Sequence, residues 1–141
     1  MSVFKTMLIV PLLSVVMLLY LVFAYGFGVN FDLGSEPFFA MPLPSGAEWA
    51  PTWSGIFILF GVVILFFELL KSTKTSTAAQ IEHLLSIMVF VVGLMLFLFL
   101  EKAGTSTFLI ITLMALLDAG AGIFISISSA RRDLTMGGMG G

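Results

Sequence analysis

The sequence predicts an all-α integral membrane protein in which four transmembrane helices form an antiparallel bundle. The chain has 141 residues, of which 60% are hydrophobic and only 10% are charged, whereas soluble domains are about 45–50% apolar and about 25% charged. Four segments are long and apolar enough to cross a bilayer, which takes about 20 residues. The later segments are joined by short connections, which favour antiparallel neighbours in a bundle.

The four predicted helices follow one another along the whole chain. They cover about residues 7–27, 53–70, 79–100 and 108–128. The first begins like a signal peptide, but its apolar stretch exceeds the about 7–15 residues of a signal core, so we expect it to be retained. We assign residues 1–135 to a single transmembrane domain and predict that the Gly- and Met-rich tail, residues 136–141, is flexible.

The distribution of Lys and Arg predicts that both chain termini face the cytoplasm, because short cytoplasmic flanks carry an excess of cations. In this orientation only Lys102 lies outside, and the remaining cations lie inside: Lys5, Lys71, Lys74, Arg131 and Arg132. Trp49 and Trp53 then lie at the outer boundary of the second helix, where aromatic rings anchor helices at the interface.

The outer loop, residues 28–52, is rich in aromatic and Pro residues. The Pro residues prevent a continuous helix, and the aromatic side chains should avoid water. The loop therefore either packs against the outer end of its own bundle or forms an exposed apolar ledge that docks a partner membrane protein. The candidates for partner docking are Phe38, Phe39, Trp49 and Trp53.

Asp118 lies deep in the fourth predicted helix, about ten residues from either end and hence near the membrane midplane. Counting residues from the end of the first helix places Ser14 at a similar depth in the membrane. Asp118 is either a protonated or hydrogen-bonded acid that fixes helix packing, or an ion site in a pore or carrier, or the partner of a charge on another protein. Small or polar residues share its face and allow close helix approach: Ala115, Ala119, Gly122 and Ser126.

A second polar group is predicted near the inner surface, around the turn between the second and third helices. Its members are Glu68, Lys71, Lys74, Glu82 and His83. One interpretation is a helical hairpin held by contacts between Lys and carboxylate groups, with an acid favoured at a helix N-terminus. The alternative is a metal or proton entry site, although no ligand-spacing motif supports it.

Several classes of function are disfavoured by composition. A formal net charge of −2 without a basic run argues against nucleic-acid binding. The absence of Cys from the sequence removes thiolate metal sites and thiol chemistry. Because no set of acids and histidines converges at one predicted depth, we predict no enzymatic activity. We predict no cofactor and no metal, and leave a bound lipid, quinone or pigment open.

These observations predict a non-enzymatic accessory, scaffold or assembly subunit of a larger membrane protein complex. The alternative is a small homo-oligomeric channel or carrier, coupled to protons or cations through Asp118. The expected partners are the lipid bilayer and other membrane protein subunits, or copies of the chain itself. The small-residue stripe on the fourth helix and the aromatic outer loop are the two candidate contact faces.

Several short runs of the sequence resemble those of small uncharacterised four-helix inner-membrane proteins of proteobacteria. These runs are residues 44–47 (PSGA), 82–86 (EHLLS), the stretch 105–122 from TSTF through DAGAG, and residues 130–133 (ARRD). The resemblance implies a multi-pass protein of a bacterial inner membrane. It implies no particular activity or cofactor.

Overall fold

A computed structural model describes residues 9–73 and 77–138, together with Val3 and Thr6. This part of the chain is mainly helical and contains four apolar helices. We number them α1 (Leu12–Leu21), α2 (Trp53–Ser72), α3 (Thr77–Phe99) and α4 (Ser106–Gly138). By length and composition, α2, α3 and α4 could each cross a membrane.

The first helix is shorter than the sequence predicts, because Pro11 interrupts it. Pro11 has an extended conformation, with φ −63° and ψ 120°, and it lacks the N–H that a continuous helix would need. A short π-helix, Val22–Gly26, continues α1. The apolar helix Leu12–Gly26 is about 22 Å long, less than the roughly 30 Å of a bilayer core. Met7, where the predicted helix begins, lies outside the described residues.

The fourth helix is longer than the sequence predicts. It begins at Ser106, runs past the predicted end at residue 128 and ends at Gly138. Helix-forming residues, among them Ala130, Arg131 and Leu134, continue the segment without a Pro. The first three residues of the predicted flexible tail are therefore helical, while residues 139–141 lie outside the described residues. Helices α2 and α3 begin and end within two residues of their predicted bounds.

A small β-hairpin interrupts the loop between α1 and α2. Strand β1 (Met41–Pro42) pairs antiparallel with β2 (Glu48–Trp49), and Met41 lies opposite Trp49. Gly46 turns the chain between the strands with φ +87°, a conformation that residues with a Cβ rarely adopt. After the hairpin, the Thr52 hydroxyl accepts a hydrogen bond from the Gly55 N–H (3.2 Å) and caps the start of α2.

Helix α4 packs against each of the other three helices. Two Gly residues make close approaches possible near the middle of the bundle. Gly61 of α2 lies against Met114 of α4, and Gly93 of α3 lies against Met17 of α1 and Thr112 of α4. A Cβ at Gly61 would be only 2.9 Å from Met114 Sδ, well inside normal contact distance. These Gly residues therefore allow the side chains of neighbouring helices to fill the core.

The bundle has two different ends, which we call the loop end and the turn end. The loop end carries the loop between α1 and α2 and a 3-10 turn, Glu101–Ala103, between α3 and α4. The turn end carries the connection between α2 and α3. At the loop end, Phe31 inserts from the loop into the core, where it is 3% exposed and stacks on Tyr20 with 4.2 Å between the ring centroids.

Further aromatic rings and hydroxyl groups fix this loop to the bundle. Phe57 and Phe108 are buried beside Tyr20. The Thr107 hydroxyl donates to the Phe31 carbonyl (2.7 Å) and is itself 2.5 Å from the Ser54 hydroxyl. Part of the loop therefore packs inside the loop end of its own bundle, which is one of the two arrangements that the sequence left open.

Candidate functional site

Charged side chains from two helices meet at the turn end of the bundle. Lys71 Nζ lies 3.1 Å from Glu68 Oε1 within α2 and 2.8 Å from Glu82 Oε1 of α3. Glu68 is 1% exposed, while the side chain of Lys71 is 15% exposed. One cation thus bridges two carboxylates and ties the end of α2 to the start of α3. Lys74, which the sequence places in the same group, lies outside the described residues.

The break at Pro11 brings the start of α1 to the same cluster. The Leu12 N–H donates to Glu68 Oε1 (2.8 Å), and Lys71 Nζ donates to the Val10 carbonyl (3.3 Å). The first N–H groups of a helix have no partner within the helix and carry partial positive charge. The N-terminus of α1 therefore stabilises the carboxylate of Glu68, a role that an unbroken first helix could not have.

Asp118 of α4 belongs to this cluster and does not stand alone. It is 3% exposed, and its Oδ2 accepts a hydrogen bond from the Ser86 hydroxyl of α3 (2.9 Å). Its carboxyl group also interacts electrostatically with Glu68 and Glu82. A hydrogen-bonded acid is one of the interpretations that the sequence leaves open. Asp118 lies about 6 Å, one helical turn, beyond Met114 toward the turn end.

The predicted stripe of small residues on α4 faces α3 within this chain. Ala115 and Ala119 are buried, and Gly122 lies directly against the imidazole ring of His83. A Cβ at Gly122 would overlap that ring. Ser126, at the end of the stripe, is half-buried. Most of this stripe is consequently covered by the bundle itself, so it is not the free contact face that the sequence suggested.

Among the described residues, Ser14 forms no hydrogen bond with Asp118. Its hydroxyl donates to the Pro11 carbonyl (2.6 Å), and its side chain lines a groove of about 290 Å³ between α1 and α3. The other lining side chains are apolar. The structure therefore gives Ser14 a partner in its own helix and a place at an apolar groove.

The predicted docking residues of the loop fall into two pairs. Phe38 packs edge-on against Trp53, with 4.6 Å between the ring centroids, next to the start of α2. Phe39 packs on Trp49 of the hairpin at 5.9 Å. Both members of the second pair are exposed, at 49% and 41%.

The cluster leaves one buried polar atom without a partner. Glu68 Oε2 has no hydrogen-bond partner among the residues that the structure describes, although Oε1 of the same carboxyl group has two. Unpaired buried carboxylate oxygens are costly. No group of three or more His, Asp or Glu side chains in the described part of the chain has the arrangement of a metal site.

Sequence reasoning missed three contributors to this cluster: the Val10 carbonyl, the Leu12 N–H and the Ser86 hydroxyl. Two short features of the sequence indicate the Leu12 N–H and the Ser86 hydroxyl. Pro11 frees the N–H groups that follow it, and Ser86 lies four residues after Glu82, on the same helix face. What the sequence could not supply is the register that brings α1 and α4 to Glu68.

Comparisons with known proteins do not add a family to this description. No protein-family model matches the chain, and the searches of curated proteins and of solved structures found no significant match.

Proposed function

We propose that this chain is a non-enzymatic accessory or assembly subunit of a larger complex in a bacterial inner membrane. The observation that carries the proposal is an uncovered apolar ledge at the loop end. The ledge consists of Phe39, Met41, Leu43 and Trp49, each of which is between 41% and 49% exposed. The hairpin presents these side chains together, and exposed apolar patches of this kind mark sites of protein or membrane contact.

We also infer that the helices form an antiparallel bundle with both termini in the cytoplasm. The order of the contacts supports this arrangement. Ser86 and Gly93 of α3 meet Asp118 and Thr112 of α4, so these two helices run in opposite directions. Lys71 lies at the turn end, whereas Lys102 lies at the loop end and donates to the Ala24 carbonyl. This distribution fits a cytoplasmic turn end.

The far end of α4 offers a second surface for a partner. Between Gly122 and Gly138, all of which the structure describes, no residue of α4 is buried. This stretch is about 24 Å long, whereas α3 begins only about 9 Å beyond the level of His83. The helix therefore extends about 15 Å past α3. Leu134 and Met136 are more than 70% exposed on it.

The alternative, a proton- or cation-coupled carrier or channel, is less well supported by the same geometry. The charged cluster lies at the turn end, and the loop end is filled by the buried rings of Tyr20, Phe31, Phe57 and Phe108. A path through a single chain would have to cross this packed aromatic core. A carrier would therefore require an assembly of several copies, with the path between them.

Changes to the ledge should weaken association with a partner without affecting the fold. We expect the double variant Phe39→Ser/Trp49→Ser to retain wild-type thermal stability, because both side chains are about half exposed and surface substitutions usually change stability by less than about 0.5 kcal/mol. The measurement is purification from native membranes in mild detergent at native abundance, followed by quantitative mass spectrometry of the proteins that accompany the chain.

Leu33→Ser is the matched control, because Leu33 is an exposed apolar residue of the same loop, outside the hairpin. The proposal requires a defined membrane protein that accompanies the wild type and the control and is depleted at least tenfold with the double variant. Equal recovery of all accompanying proteins with all three chains would contradict it.

A further inference from the structure

We propose that Glu68 and Asp118 form a binding site for a single positive charge, held as a proton or as a monovalent metal cation. The site is distinct from the ledge and does not depend on the proposed role as a subunit. Three features carry the inference: the charge of the cluster, the geometry of the Glu68 carboxyl group and the access from the turn end.

Among the described residues, the charges of the cluster do not balance. Three buried carboxyl groups, those of Glu68, Glu82 and Asp118, share the single Lys that the structure describes there, Lys71, with His83 counted as neutral. With all of them ionised, the formal charge is −2. Uncompensated charge in a low-dielectric interior is strongly unfavourable. One further positive charge close to the carboxyl groups would halve this formal negative charge.

The geometry locates that charge between Glu68 and Asp118. Glu68 Oε1 is held by the Leu12 N–H and by Lys71 Nζ, which fixes the carboxyl group. Its other oxygen, Oε2, is buried and lacks a partner in the described part of the chain. The carboxyl group of Asp118 is close enough to Glu68 for the two groups to interact electrostatically, and its Oδ2 is held by the Ser86 hydroxyl. Two neighbouring buried carboxylates are stabilised when a proton or a cation lies between them.

The polar groups around Glu68 and Asp118 come from all four helices. Helix α1 presents the Leu12 N–H to Glu68, and α2 contributes Glu68 and Lys71. Helix α3 contributes Glu82, His83 and the Ser86 hydroxyl, which already donates to Asp118 Oδ2. Glu82 and His83 are each 7% exposed, and we infer that the positive charge enters past them from the turn end.

Infrared difference spectroscopy of the protein in lipid nanodiscs tests the site in two arms. The first arm varies pH in choline chloride, and the second replaces choline by Na⁺ or K⁺ at constant pH. We expect the absorption of a protonated carboxyl group that is lost at alkaline pH. Asp118→Asn should lose this band entirely, and so should Glu68→Gln. Glu36→Gln, which changes an exposed acid of the loop, should retain it.

The two arms separate the sources of the charge. A band that responds to pH and not to the metal ions identifies a proton site. A band that Na⁺ or K⁺ abolishes at constant pH identifies a cation site that competes with the proton. The proposal is overturned if the wild type shows no buried-carboxyl band that responds in either arm, or if the responsive band survives in correctly folded Asp118→Asn. If Asp118→Asn does not fold, the test is whether the wild type shows the responsive carboxyl band and whether Glu68→Gln loses it.

Discussion

Lys71→Met is expected to lower the free energy of unfolding by about 3–5 kcal/mol, because it removes one partner of a buried ion pair. Lys71 Nζ lies within 3.1 Å of both Glu68 and Glu82, so its loss leaves carboxylates without compensation. The Met side chain keeps most of the volume of the Lys stem, which limits the change in packing. The side chain of Lys71 is 15% exposed, so the lower end of this range applies if water reaches the cluster.

Equilibrium unfolding in mixed micelles would measure this effect by far-ultraviolet circular dichroism. Arg132→Met is the matched control, since Arg132 is exposed near the end of α4 and its loss changes the net charge by the same amount. We expect the double variant Lys71→Met/Glu82→Gln to recover part of the stability, because it also removes one of the uncompensated charges. An effect of Lys71→Met no larger than that of Arg132→Met would show that the bridge does not stabilise the fold.

Gly122→Ala should destabilise the bundle by about 1–3 kcal/mol, the usual cost of forcing an extra group into a packed core. The new Cβ would overlap the His83 ring, which lies between α3 and α4. His83 is only 7% exposed, so the ring has little free space into which it can move. The variant therefore reports directly on the contact between the two helices.

Gly120→Ala provides an internal comparison for this substitution. A Cβ at Gly120 meets no atom within 4 Å, and Ala is a better helix former than Gly by up to about 1 kcal/mol. Gly120→Ala should therefore leave stability unchanged or raise it. The same unfolding experiment compares the two variants. Equal stability of Gly122→Ala and Gly120→Ala would be incompatible with His83 packed against Gly122.

The sequence predicts the membrane class and the bounds of α2 and α3 well, since both helices are long apolar runs with polar residues at each end. It misjudges α1 and α4. Pro11 is evident in the sequence, but whether a Pro bends or ends a helix depends on which groups accept hydrogen bonds from the N–H groups that follow it. For Leu12 that partner is Glu68, 56 residues away. The extension of α4 depends on residues 129–138, whose composition alone does not distinguish a helix from a tail.

The site is harder to predict than the fold, because it depends on helix register. Glu68, Glu82, His83 and Asp118 are all recognisable in the sequence as polar residues of apolar segments. Depth counting nevertheless separates Asp118 from the others, since it assumes that each predicted helix is centred in the membrane. An error of about four residues in the centre of a helix moves a side chain by about 6 Å, enough to leave Asp118 isolated.

The position of Asp118 within the charged cluster is the central claim, and cross-linking tests it most directly. The native chain has no Cys, so paired Cys variants report only on the chosen positions. Asp118→Cys with Ser86→Cys should be joined by a short thiol-reactive cross-linker in native membranes, because the native side chains are in hydrogen-bond contact. Asp118→Cys with Tyr25→Cys should not be joined, because Tyr25 lies at the loop end, where its hydroxyl accepts from the Lys102 N–H. Efficient linkage of the second pair without the first would contradict the account.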